Sequence, residues 1–336
     1  MEPIYVGSVK TLYADEDPRR IWFEYSDDYS VFDWGKMPDA LPGKGEALAR
    51  LGEWFFGQLA DPARWDDLAL AGRPEVAPWL PVRHHFHRRE GRRLLMTRVE
   101  VPPVRPREVG GALVYDYGYD LGATQLLPLE VIFRFGVPEG SSLLARKDWY
   151  PFDIYPGVEF EQPLIEFSTK LESKDRMLSY QEAAMVLKGR ADLLAEVHGR
   201  TLAVALFLQE TFRRRGLKLW DGKLEWALVE GAMTLVDSIG PDELRVSQGP
   251  AVFSKQFLRD AYLGTPWERA LVEAKKLAAQ RRTADWKRIV TDELKAQPAP
   301  LGPAHREAAI ALYQDFCAIL VEGKDSTRFA DAFAAL

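Results

Sequence analysis

The chain has 336 residues, 47% of them hydrophobic, and a formal charge of −6 at pH 7. That is enough apolar content for a sizeable core or two lobes, and the acidic balance argues against general nucleic-acid binding while leaving room for a local basic pocket. A single cysteine, Cys317, excludes an internal disulfide framework, and no apolar run approaches the ~18–20 residues of a membrane span.

The N-terminus, MEPIYVGSVK, lacks a signal-peptide core, so a cytoplasmic protein with no membrane partner is expected. Residues 3–13 and 20–25 read as two strands joined by the turn Asp15-Glu16-Asp17-Pro18. Residues 43–59 read as a helix, since Leu48, Leu51, Trp54, Phe55 and Leu59 recur at three- and four-residue spacing. Asp33 and Lys44 flank it on loops, where a scaffold can offer charge to a substrate. His84, His85 and His87 lie close together, but Arg83, Arg88 and Arg89 around them would repel a cation. A basic strand paired with residues 93–99 is therefore expected rather than a metal site.

Residues 101–107 are proline-rich and should run extended, outside any central strand. Tyr115, Tyr117 and Tyr119 follow, either packed or lining a pocket. Residues 129–133 form an apolar strand ending at Arg134, and a guanidinium followed by a Gly140-Ser141 turn suits a ribose phosphate. Residues 177–214 read as helical, in two pieces broken near His198-Gly199.

Residues 216–245, GLKLWDGKLEWALVEGAMTLVDSIGPDELR, organise the rest. Side chains alternate along a strand, so Trp220, Gly222, Leu224 and Trp226 share one face while Asp221, Lys223 and Glu225 share the other. Glu230-Gly231 reads as a turn and residues 232–237 as a returning apolar strand. A three-residue loop, 230–232, would set Val229 opposite Met233 and Glu225 opposite Asp237. Carboxylates about 5 Å apart repel by roughly 3–4 kcal/mol at an effective dielectric near 20. They need a lysine, a proton or a cation between them, and a hard ion such as Mg²⁺ suits oxygen ligands. The pattern alone also fits a surface hairpin with its charges in water. Residues 251–262, 267–280 and 305–321 read as helices. No chemical motif is legible beyond residue 262, which leaves a helical cap or an oligomerisation surface.

Asp221-x-Lys223-x-Glu225, a return strand ending at Asp237, then Pro241-Asp242-x-x-Arg245 resemble the signature of the SAICAR synthetase (phosphoribosylaminoimidazole-succinocarboxamide synthetase) family. Further blocks resemble that family in order. They are Val9-Lys10-Thr11-Leu12-Tyr13, Ser30-Val31-Phe32-Asp33, Leu41-Pro42-Gly43-Lys44-Gly45, and Pro128-Leu129-Glu130 through Arg134 with Gly140-Ser141. Thr169-Lys170 with Asp175 and Ser179, and Lys255-Gln256 with Arg259-Asp260, complete the set. The resemblance implies an α+β, two-lobed fold with ATP held between the lobes. A β-rich N-terminal lobe would cover residues 1–127, with an insertion at 102–127. A central α+β lobe would cover 128–250, and a helical segment 251–336.

The resemblance also implies an ATP-dependent ligase of purine biosynthesis, joining L-aspartate to carboxyaminoimidazole ribotide through an acyl phosphate. On that basis Lys10, Asp221 and Lys223 are the expected catalytic residues. Lys10, Lys223, Glu225 and Asp237 form the expected ATP site, with Glu225 and Asp237 as Mg²⁺ ligands. Asp33, Lys44, Arg134, Ser141, Lys170, Asp175, Arg245, Lys255 and Arg259 are the expected substrate contacts, and whether Ser141 or Ser142 takes the serine role stays open. Partners would be small molecules rather than nucleic acid, with a homo-oligomer compatible. Ser8, Lys174, Ser238, Glu243-Leu244 and Ser254 depart from the family pattern around the pockets. A paralogue joining a different carboxylate and amine, a small-molecule kinase of related fold, and a non-catalytic nucleotide binder are the rivals.

Overall fold

The computed structural model describes residues 2–110, 112–281 and 283–336. Its strands in chain order are β1 (Pro3–Val6), β2 (Lys10–Ala14), β3 (Arg20–Tyr25), β4 (Arg83–His84), β5 (Phe86–Glu90), β6 (Arg93–Thr97), β7 (Arg105–Val109), β8 (Ala112–Asp116), β9 (Gln125–Gly136), β10 (Glu159–Thr169), β11 (Met177–Leu178), β12 (Lys218–Val229), β13 (Ala232–Val236), β14 (Leu244–Gln248) and β15 (Ala251–Phe253).

The order β1-β2-β3-β6-β5 makes an antiparallel five-stranded sheet. The strand expected over residues 3–13 is split in two, because the Gly7 amide turns back to the Lys10 carbonyl at 3.0 Å. The helix Lys44–Ala60 lies against this sheet and buries Leu48, Leu51, Phe55 and Leu59 of the stripe that its spacing predicts, with Trp54 half-buried. Arg83 and His84 leave the basic stretch: β4 runs parallel to β13 in the second sheet, and only β5 pairs with β6.

The second sheet has eight strands, β11-β10-β9-β12-β13-β4, with β14 added to β12 and β15 to β14. β12 is its centre. One edge pairs with β9; on the other, residues 218–222 pair with β14 and residues 225–229 with β13. The chain between those two partners, residues 237–243, is pushed off the ladder, and the Lys223 amide ties it down through the Glu243 carbonyl at 3.1 Å. That loop is the foundation of the site. The helix expected from residue 251 starts only at Lys255, since β15 pairs with β14; the larger sheet therefore crosses the border placed at residue 250.

The helix Ala191–Arg213 covers the apolar face of β12, where fully buried Trp226 donates its indole N–H to Thr201 Oγ1 at 2.9 Å. This helix runs unbroken through His198-Gly199, against expectation. The break falls instead at Lys188-Gly189, both with positive φ (62° and 75°). Gly199 has a packing reason: a Cβ there would lie 2.0 Å from the Trp79 ring.

β7 and β8 form a separate two-stranded ribbon, so the proline-rich stretch does stay outside the central sheets. Its tyrosines pack. Tyr117 donates to Glu172 at 2.8 Å, Tyr115 to Ser173 at 2.5 Å, and buried Tyr119 to the Val186 carbonyl at 3.0 Å. One apolar cluster joins both sheets to the C-terminal helices and takes in Cys317. Among the described residues, no helix is long and apolar enough to cross a membrane.

Candidate active site

The hairpin register differs by one residue from the expected one. Glu230 (φ 52°) and Gly231 (φ 79°) are both left-handed, the conformation that lets a two-residue turn match the twist of its strands. Glu225 therefore sits opposite Val236, not Asp237, and Leu228 opposite Met233. Asp237 lies just past the strand with φ 66°, which turns the chain out of the ladder. The carboxylates still feel each other: burial first, then Asp237, raises the Glu225 carboxyl above its ordinary range.

Each acid holds a lysine from another element. Lys10 on β2 is ion-paired with Asp237, and Lys170, just past β10, lies 2.5 Å from Glu225. Lys223 lies 2.5 Å from Glu130 and 3.7 Å from Glu225, and Glu130 faces Glu225 across the β9–β12 ladder. Burial works against charge on Lys10 and Lys223, yet Asp237 and Glu130 respectively raise both ammonium groups above the usual lysine range. Burial likewise opposes the Asp237 charge, but Lys10 prevails and holds this carboxyl below its usual range. His85, pushed down to about 4 by burial, meets the Asp237 carbonyl at 3.1 Å. Lys10 and Asp237 keep side-chain exposures of 23% and 24%, so a ligand can reach both. Near Glu130 and Lys223, burial and then Glu130 push the Asp175 carboxyl up to about 6.

A cavity of about 180 Å³ adjoins this cluster, lined among others by Ser142, Asp221, Glu243, Arg245, Lys255 and Arg259. Burial lowers the basicity of Lys255 and Arg259, as it does for cations short of anions, and these two share the cavity with Arg245. Asp221 clamps Arg245 at 2.8 and 2.5 Å and also accepts from Arg134 at 3.0 Å. Ser254, one of the departures from the family pattern, caps the helix Lys255–Asp260 by accepting from the Gln256 amide at 3.1 Å.

Three expected substrate contacts lie behind the cavity wall. Arg134 is 3% exposed and its nitrogens are taken by Glu166 (2.6 Å), Asp221 (3.0 Å) and Ser142 (3.1 Å), so it shares Asp221 with Arg245. Ser141 is buried with its Oγ toward the Leu143 amide, whereas Ser142 lines the cavity. Lys44 is no loop residue: it begins a helix and is buried, its Nζ 3.1 Å from Asp242 Oδ2. Asp33 remains 89% exposed, on a loop where Phe32 and Asp33 both have positive φ, and its charge reaches Arg259 and Asp175. Glu130, Ser142 and Glu243 also belong to the site, and Tyr313 supports it from behind. The acids and the serine stood inside motifs, but Tyr313 comes from a helix with no local signal; it donates to Asp242 Oδ1 at 2.6 Å.

The SAICAR synthetase family model matches residues 3–273 of this chain. The chain belongs to the SAICAR synthetase family. A relative from Archaeoglobus fulgidus, provisionally named a phosphoribosylaminoimidazole-succinocarboxamide synthase, is 32% identical over 327 residues, covering 93% of this chain and 92% of the relative. The enzyme of that name from Streptomyces avermitilis is 27% identical, covering 79% and 83%. A SAICAR synthetase solved in complex with ADP gives a TM-score of 0.55 at 24% identity, over 76% of this chain and 89% of its own. The Saccharomyces cerevisiae SAICAR synthase complexed with SAICAR gives 0.60 at 20% identity, over 97% and 96%. These two likenesses are of fold, and they support the expected α+β class. As a SAICAR synthetase family member, the chain is an ATP-dependent carbon–nitrogen ligase. The family match ends at residue 273, yet Tyr313, beyond it on the helix Pro303–Val321, holds Asp242 of the cavity wall from behind.

Proposed function

We propose that the chain joins L-aspartate to carboxyaminoimidazole ribotide, with ATP converted to ADP and phosphate, through an acyl phosphate. The observation that carries this reading is the linkage made by residues 237–245. Asp237 at one end sits in the lysine–carboxylate cluster, and Arg245 at the other lines the cationic cavity. Phosphoryl transfer to a bound carboxylate needs that adjacency: phosphates at one station, an anionic acceptor held at the next.

Lys10 and Lys223 neutralise the phosphoryl group as it moves. Glu225 and Asp237 fit Mg²⁺, being hard-oxygen donors near enough for Asp237 to raise the Glu225 carboxyl. Among the described residues no group of three or more metal-ligating side chains occurs, so phosphate and water would complete the shell, as is usual for this ion. When bound, Mg²⁺ supplies charge neutralisation to the phosphates. Arg245, Lys255, Arg259 and Ser142 hold the phosphate and carboxylate of the ribotide. Lys170 and Asp175 face the amino acid, and a carboxyl titrating at about 6 suits removal of a proton from the attacking amine. Arg134 and Asp221 position Arg245. The test is ADP release with ATP, Mg²⁺, ribotide and each amino acid in turn. Release confined to ribotide plus aspartate is expected; dependence on another amino acid, or on a hydroxylated acceptor, would replace this reading with a paralogous ligase or a kinase.

A further inference from the structure

Glu243 stands where the two stations meet, and among the described residues its side chain has no hydrogen-bond partner. It lines the cationic cavity with Arg245, Lys255 and Arg259, and also a smaller cavity of about 30 Å³ beside Lys10, Tyr25 and Ser238. Its Oε2 is enclosed without a hydrogen-bond partner, and among the described residues no side chain donates to its other oxygen. The backbone, by contrast, is fixed: the Glu243 carbonyl accepts from the Lys223 amide and its own amide donates to the Gly240 carbonyl, both at 3.1 Å. A rigid loop therefore delivers an unpaired carboxyl to the cleft. Burying such a group unmatched is unfavourable, so its missing partner calls for an explanation outside the fold.

We propose that Glu243 is a specificity-determining residue whose carboxyl receives an N–H donor, an amino group, of the small molecule held in the cationic cavity. The neighbours select for this chemistry. Arg245, Lys255 and Arg259 can only donate, so they recognise phosphate or carboxylate but nothing that itself donates. The other acids of the cavity are engaged, Asp221 by Arg134 and Arg245, Asp242 by Lys44 and Tyr313. Glu243 is the acceptor left over. The ligand is thus an anion that carries an amine beside its acidic groups, which an aminoimidazole carboxylate does; the inference rests on the ribotide reading given above.

The experiment is steady-state ADP release by the full chain, with the ribotide varied, for wild type, Glu243→Ala and Glu243→Gln. Loss of one good hydrogen bond to substrate predicts a ribotide KM about 10- to 100-fold higher in Glu243→Ala, with the ATP KM within about twofold of wild type. Glu243→Gln, which keeps a carbonyl acceptor, recovers most of the loss. A ribotide analogue lacking the amino group should bind wild type and Glu243→Ala alike. An unchanged ribotide KM in Glu243→Ala overturns the inference, as does an equal loss toward ATP. If the alanine variant does not fold, wild-type discrimination decides: at least about tenfold preference for the amino-bearing ribotide supports the inference, and none overturns it. Wild type that releases no ADP with the ribotide removes the functional reading and this inference together. Wild-type turnover with Glu243 variants unaffected removes the inference alone.

Discussion

Lys44 and Tyr313 grip the two oxygens of Asp242, at 3.1 and 2.6 Å, from opposite ends of the chain. All three side chains are closed to solvent or nearly so, and the Lys44 ammonium also lies 4.9 Å from the centre of the Tyr313 ring. Lys44→Met would leave a buried carboxylate half-satisfied, a change that typically costs about 3–5 kcal/mol, against about 1–2 kcal/mol for Tyr313→Phe. Urea unfolding of the two variants should rank them in that order. Burial opposes the Asp242 charge, but Lys44 and then Lys255 hold its carboxyl below the usual range. The stability from this pair is therefore present above the unfolded value near 3.9 and fades as pH falls through the folded one, so the gap between wild type and Lys44→Met should narrow in acid.

Glu225→Gln should lower turnover by a factor on the order of 10² or more while leaving the thermal midpoint within a few degrees, because it removes the metal-binding charge but keeps the side chain's shape and an oxygen for Lys170. Chelation of Mg²⁺ should abolish ADP release from wild type and be reversed by added Mg²⁺. A fully active Glu225→Gln variant would count decisively against the metal assignment.

Glu243 predicts a stability effect of a particular sign. Burial first, then Asp242 and Asp237, push its carboxyl up to about 8. Between the unfolded value near 4.3 and the folded one, the native chain keeps a proton that the unfolded chain has lost. The contribution of this group is therefore complete below the unfolded value and lost as pH rises through about 8. Glu243→Gln cannot ionise, so it should melt higher than wild type at pH 8.5 and lose that advantage at pH 4. An equal difference at both values would contradict the assigned environment.

Gly199 tests packing against propensity. Alanine is better than glycine within a helix by up to about 1 kcal/mol. Here its Cβ would lie 2.0 Å from the Trp79 ring, and overpacking of that kind costs about 1–3 kcal/mol. The clash should win, so Gly199→Ala should melt lower than wild type; a higher midpoint would mean that the Trp79 ring yields without resistance.

The sequence alone determined the elements whose chemistry is local. Alternation along 221–225 sent Asp221, Lys223 and Glu225 to one face, and the leucine and phenylalanine spacing in 48–59 set the buried stripe of the first long helix. The ordered motifs were enough to name the family, because each is a short run whose residue types survive without knowledge of their neighbours in space. Register and partnership were not local. The two-residue turn at Glu230-Gly231 moved Glu225 opposite Val236, since only the closed ladder decides which residues of a turn stay outside it. Arg134 and Lys44 read as contacts for a ligand, yet Glu166, Asp221 and Asp242 reach them first. Tyr313 carried no signal at all, because its role exists only once the C-terminal helix packs against the central loop. A charged side chain is satisfied by whatever the fold brings within about 3 Å, and that distance is written in three dimensions, not in the spacing of residues along a chain.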